Sequence, residues 1–150
     1  MQKFLIAVGC QPSKLSYLSK GEKRKLIDYL NTAKAKYDAV ISVIRVNDAN
    51  SRNFISKGDN IGDVSLNLLE YESDDVMEVS GYDLDCKLFR KDAEYDIIGL
   101  STGASVLCIA MSMYSRGLKI RVLKDYCYDR KGLQKQALQI MDSYMEGVVV

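Results

Sequence analysis

Short continuous apolar runs alternate with stretches of helical periodicity along almost the whole chain, and this pattern restricts the fold most. Phe4–Val8 (FLIAV) is apolar at every position, as is Ala39–Val46 (AVISVIRV) but for Ser42 and Arg45. Asp96–Leu100 (DIIGL) and Leu118–Leu123 repeat the theme, and Val76–Val79 is a weaker instance. A strand covered on both faces reads in this way, without polar alternation. Between the runs, Ser19 and Glu22 stand at capping-box spacing ahead of Leu26, Ile27, Leu30 and Ala33, which recur at helical intervals. Thr102 or Gly103 opens a second helix containing Val106, Leu107, Ala110, Met111 and Tyr114, and Gly117 suits its end. Leu133, Ala137, Ile140, Met141 and Tyr144 form one face of a last helix, ended by Gly147, and Val148–Val150 reads as a short terminal strand. A short helix is expected over Tyr82–Lys91. Val64–Leu69 suits either a helix or a strand. Asn47–Asp63, rich in Asn, Asp, Ser and Gly, reads as a long, functional or lid-like loop.

Strands alternating with helices imply crossover units. The expectation is a single α/β domain over residues 1–150. It is a three-layer, Rossmann-like fold with a mostly parallel sheet of about six strands and helices on both faces. In such sheets ligands bind beyond the carboxyl ends of the strands, where the strand order reverses.

Charge and composition exclude several functions. Lys and Arg total 21 and Asp and Glu 20, a net +1, so no electrostatic footprint for nucleic acid or an acidic membrane is present. No apolar run reaches the ~20 residues of a membrane span, and no signal-peptide pattern follows Phe4–Val8, so a cytoplasmic protein is expected. Cys10, Cys86, Cys108 and Cys127 form no CxxC pair and are expected to stay reduced. There is no histidine, which removes the commonest catalytic base and zinc ligand from the chain.

The stretch Ile98 to Cys127 (IGLSTGASVLCIAMSMYSRGLKIRVLKDYC) resembles the isochorismatase-like cysteine hydrolases, which include the nicotinamidases. The residues that carry the resemblance are Gly99, Leu100, Thr102, Ser105 and Val106, then Arg116–Gly117, then Asp125 and Cys127. FLIAVGCQ is similar to that family's first strand, and ISVIRVNDANSRNF to its second strand and following loop. The resemblance implies a Cys that attacks a carbonyl carbon, an Asp that acts as its base and a Lys that stabilises charge between them. The matching positions here hold Ser105, Gly9 and Glu78. The family's Asp-x-His-x-x-His metal motif is absent too, with only Asp48 in its region, so neither metal nor cofactor is expected.

A serine without an adjacent base is a much weaker nucleophile than a thiolate, and Gly9 supplies no base. The reading is therefore a non-hydrolytic member of the fold that acts by binding. One version holds a nucleotide- or nicotinamide-like small molecule in the former active-site pocket, and the other binds protein partners as an assembly component. The alternative is an atypical hydrolase using Ser105 with Glu78, or Cys10, on an amide or ester. Ser101, Thr102, Gly103, Ala104 and Ser105 form a small-residue turn into a helix, able to hold an anion or carbonyl oxygen or simply to cap that helix. Phe54, Tyr82, Tyr126 and Tyr128 are candidate ligand contacts, and Arg45, Arg52 and Arg130 could meet an acidic ligand. The resemblance also implies a homo-oligomer, dimer or tetramer, for which Met113 and Tyr114 are the expected contact residues.

Overall fold

The computed structural model describes residues 1–45, 68–79, 82 and 84–150. The expected loop Asn47–Asp63, and with it Asp48, Arg52 and Phe54, lies outside them, as does most of Val64–Leu69. The first strand, β1 (Gln2–Val8), leads through a one-turn helix, α1 (Pro12–Leu15), into α2 (Lys20–Ala33). Ser19 accepts from the Glu22 N–H while Glu22 accepts from the Ser19 N–H, so the capping box is formed. Then follow β2 (Ala39–Arg45), β3 (Asp75–Val79), β4 (Ala93–Leu100), α3 (Leu107–Ser115), β5 (Lys119–Tyr128) and α4 (Gln134–Tyr144).

The sheet order is β3-β2-β1-β4-β5 and every pairing is parallel. The three-layer α/β architecture is as expected, with five strands in the sheet. The anticipated terminal strand is reduced to a single parallel bridge between Val149 and Val122. Three further elements differ from the sequence reading. The helix placed at Tyr82–Lys91 is only a single 3-10 turn, Cys86–Leu88, started by the Asp85 carboxylate accepting from the Lys87 N–H. The fifth strand runs on to Tyr128, because an irregularity opposite Ile97–Gly99 lets it resume pairing as far as Leu100. The turn Thr102–Val106 is wound as a π-helix before α3 begins.

Alternation along β1 explains the two cores. Leu5 and Ala7 meet Leu26, Leu30 and Ala33 of α2 on one face, while Ile6 and Val8 meet α3 and α4 on the other. The buried stripe of α3 is Ile109, Ala110 and Met113, continuous with Val106 one turn earlier, the i, i+3, i+4, i+7 set of one helix face. Met113 is therefore a core residue at 0 % exposure, and burying such a side chain contributes about 1.5–3 kcal/mol. It was expected at a subunit contact, and it fills the space between α3 and the sheet instead. Met111 and Tyr114 are the exposed apolar residues of that helix.

One charge is buried in the sheet. Asp96 of β4 accepts from Arg121 at 2.8 and 2.9 Å and from the Tyr37 hydroxyl at 2.6 Å, with Lys3 Nζ at 3.4 Å. Burial alone would raise its pKa. The hydrogen bonds from Arg121 and Tyr37, with the charges of Arg121 and Lys3, outweigh burial and hold it below the usual carboxylate range.

No helix among the described residues is long and apolar enough to cross a membrane.

Candidate functional site

Because β1 is flanked by β2 and β4, strand order reverses between β1 and β4, and their carboxyl ends diverge into opposite connections. Two glycines let the ends of these strands approach closely. Gly9 follows β1 with φ +61°, and its N–H donates to the Val43 carbonyl at 2.8 Å. A Cβ on Gly9 would lie 2.7 Å from the Leu100 carbonyl oxygen. Gly99 has φ +126°, and a Cβ there would lie 1.9 Å from the Val8 carbonyl oxygen. The two strand ends touch through backbone atoms, which leaves no room for side chains on the contact.

A cavity of about 190 Å³ opens at this edge. Its floor is Gly9, Leu100, Ser101, Gly103, Ala104 and Ser105, and Val8, Val43, Val79 and Ile109 supply an apolar wall. Apart from Leu133, the remaining lining is polar and mostly cationic: Lys14, Arg45, Arg130 and Lys131, with Tyr17, Tyr82 and, as the one acid among the described residues, Asp129.

Arg45 is held tightly. Its backbone N–H donates to Gln11 Oε1 at 2.7 Å, and its carbonyl accepts from Gln11 Nε2 at 2.8 Å. Gln11 is only 1 % exposed, so a buried amide clamps the last residue of β2 to the loop after β1. The Arg45 guanidinium lies 4.7 Å from the Tyr82 ring centroid, and Nη2 approaches Ser105 Oγ at 3.5 Å. On another part of the lining, the Arg130 guanidinium sits 4.1 Å from the Tyr17 ring centroid.

The turn into α3 is already partly occupied by the protein's own groups. The Gly103 N–H donates to Asp129 Oδ1 at 2.8 Å, while Asp129 Oδ2 accepts from the N–H groups of Lys131 and Leu133. The Ala104 and Val106 N–H groups both donate to the Ser101 carbonyl. Thr102 is fully buried, and its hydroxyl bonds Gln134 Oε1, whose amide nitrogen donates in turn to the Cys127 carbonyl at 2.9 Å. Thr102 thus ties the turn to α4 and is not among the lining residues.

The sequence-derived residues therefore divide into two groups. Gly9, Ser101, Gly103, Ala104, Ser105, Tyr82, Arg45 and Arg130 come together around the cavity. Glu78 does not: it is exposed on β3, and its neighbour Val79 is the β3 residue that faces the cavity, so strand alternation turns Glu78 away. Tyr126 is stacked on Tyr29, ring centroids 4.0 Å apart, and Tyr128 packs with the α2 side of the sheet, so neither lines the cavity. Cys10 is also absent from the lining. It is fully buried on the α2 side, where burial pushes its thiol pKa far above the ordinary value. Burial likewise pushes Cys127 up to about 12. Sequence reasoning missed Lys14, Tyr17, Asp129 and Lys131. An available signal was the Asp129-Arg-Lys-Gly turn just ahead of the last helix, a pattern in which Asp accepts from following N–H groups.

No family model matches the sequence, and no curated protein matches it. Solved structures do. The nicotinamidase from Bacillus subtilis superposes with a TM-score of 0.79 at 16 % identity, covering 100 % of this chain and 99 % of that one. The pyrazinamidase of Pyrococcus horikoshii in complex with zinc gives 0.72 at 17 %, over 99 % and 97 % of the two chains. An isochorismatase-like hydrolase from Alkaliphilus metalliredigens gives 0.76 at 10 %, over 99 % and 94 %. At these identities the likeness establishes the fold, which is the isochorismatase-like α/β fold. The chain has no histidine, and among the described residues no group of three His, Cys, Asp or Glu side chains could hold a metal ion.

Proposed function

We propose that this chain is a non-hydrolytic member of the isochorismatase-like fold, acting by binding a small molecule in the cavity at the carboxyl edge of the sheet. The observation that carries the reading is the partner of Ser105. Among the described residues, the side-chain group within reach of its hydroxyl is the Arg45 guanidinium, at 3.5 Å. A guanidinium stays protonated at any physiological pH, so it takes no proton from a serine. Acyl transfer by serine needs a base within hydrogen-bond reach. Glu78 faces away from the cavity, and Gly9 sits where a side chain would strike the Leu100 carbonyl. Asp129 does line the cavity, but its carboxylate is engaged by the N–H groups of Gly103, Lys131 and Leu133. Cys10, the other nucleophile considered, is sealed in the core on the far face of the sheet. What remains is a concave, largely apolar site with a few convergent polar groups, the usual form of a ligand pocket.

The test pairs an activity screen with a search for bound material. Amide, carbamoyl and vinyl-ether substrates should turn over at background, and native mass spectrometry after gentle purification should find a small molecule on the folded chain. Turnover above background that Ser105→Ala abolishes would overturn the reading.

A further inference from the structure

We propose that Arg45 and Ser105 form a receptor for the carboxylate of a small apolar acid, with the acid's body against Val8, Val43, Val79 and Ile109. The inference rests on the binding reading above and names the chemical class that the cavity takes. Four observations lead to it.

First, Arg45 is preorganised. The buried Gln11 amide fixes its backbone at both the N–H and the carbonyl, and the Tyr82 ring lies against its guanidinium. A fork held in place loses little freedom on binding a planar carboxylate through two N–H donors. Second, Arg45 forms no ion pair with a carboxylate among the described residues, in contrast to Arg121 and Arg90, which are paired with Asp96 and Asp92. Third, the Gly103 N–H at the turn into α3 is already used by Asp129, so an incoming anion finds its charge partner in Arg45 rather than at that N–H. Fourth, the wall beside Arg45 and Ser105 is apolar, and about 190 Å³ accommodates one ring or a short branched chain. That volume is below the range typical of pockets for larger organic ligands.

These features set one charged head group against an apolar body. A second charge on the acid's body would be desolvated against Val8, Val43, Val79 and Ile109, which is costly. Lys14, Arg130 and Lys131, on the same lining, raise the local potential and steer an anion inward.

The experiment is calorimetric titration of the full chain with benzoate and isovalerate, with benzamide and isovaleramide as uncharged counterparts, and with phenyl phosphate. At least one acid should bind, at least about tenfold tighter than its amide and tighter than phenyl phosphate. Arg45→Met should weaken that acid at least tenfold and weaken the amide less, so that the acid-to-amide ratio falls. Arg45→Lys should restore part of the loss, and Ser105→Ala should cost a few-fold. Should Arg45→Met fail to melt cooperatively, the acid-to-amide ratio of the wild type decides alone. Amide binding equal to acid binding, or phenyl phosphate binding tighter than benzoate, would overturn the carboxylate assignment and leave small-molecule binding intact. No binding by any of these probes, with no small molecule retained in native mass spectrometry, would remove both.

Discussion

Gly9→Ala is the substitution that tests most directly the backbone contact between the ends of β1 and β4. The backbone at Gly9 has φ +61°, a conformation that costs an L-residue about 1–2 kcal/mol. The added methyl would lie 2.7 Å from the Leu100 carbonyl oxygen, which belongs to β4 and cannot swing aside as a flexible side chain would. Overpacking of this kind costs about 1–3 kcal/mol, and stiffening of the unfolded chain returns about 0.4–1 kcal/mol. The net expectation is about 1–4.5 kcal/mol of destabilisation, a fall in melting temperature of about 2–18 °C for a domain of this size. Equilibrium urea unfolding measures it. Gly21→Ala is the internal control: Gly21 lies in the first turn of α2, a Cβ there meets nothing within 4 Å, and the change should be neutral or stabilise by a few tenths of a kcal/mol. If Gly9→Ala lies within about 0.5 kcal/mol of wild type, the argument from strand contact fails. The same strain bears on introducing the Asp-Lys-Cys triad that the sequence resemblance implies. Gly9→Asp with Glu78→Lys and Ser105→Cys should remain inactive on nicotinamide, because one carboxylate is strained and the lysine projects from the wrong face of β3.

Asp96→Asn should destabilise by about 1–3 kcal/mol, since it removes a charged acceptor from the Arg121 fork in a buried setting. The Asp96 pKa is depressed on folding, so its stabilisation is complete above the unfolded value of ~3.9 and drains away as pH falls through the folded value; urea midpoints from pH 7 to 3 should fall less steeply in the Asn variant. Ala104→Leu should fill the cavity, abolishing binding of any acid found by calorimetry while moving the melting temperature little, because Ala104 borders open space rather than core. Native thiol titration should detect at most about one reactive cysteine, Cys108, because Cys10, Cys86 and Cys127 are buried; all should react in denaturant. The expected self-association transfers to Met111 and Tyr114, and changing both to Glu should convert an associated species to a monomer in sedimentation with circular dichroism unchanged. A wild type that is already monomeric at high micromolar concentration would refute it.

Local chemistry in the sequence is enough to determine where most of the strands and helices lie. Apolar runs such as Phe4–Val8 are continuous because both faces of β1 are covered, and Ser19 with Glu22 caps α2 through contacts three residues apart. The alternation of these elements also determines a parallel sheet and points to its carboxyl edge, where the cavity lies. Which side chains share that site was a tertiary matter. Arg45 reaches Ser105 across 60 residues of chain, and Gln11 fixes Arg45 across 34. Glu78 and Val79 are adjacent in sequence, yet the pleat of β3 sends only Val79 to the cavity. Tyr126 was a reasonable aromatic candidate until the irregularity in β5 and its stack on Tyr29 placed it on the other face. Met113 and Tyr114 are neighbours on one helix, and packing against the sheet makes the first a core residue and leaves the second exposed. Periodicity specifies which face of an element is apolar, but the close backbone contact of β1 and β4 at Gly9 and Gly99 fixes what stands opposite it.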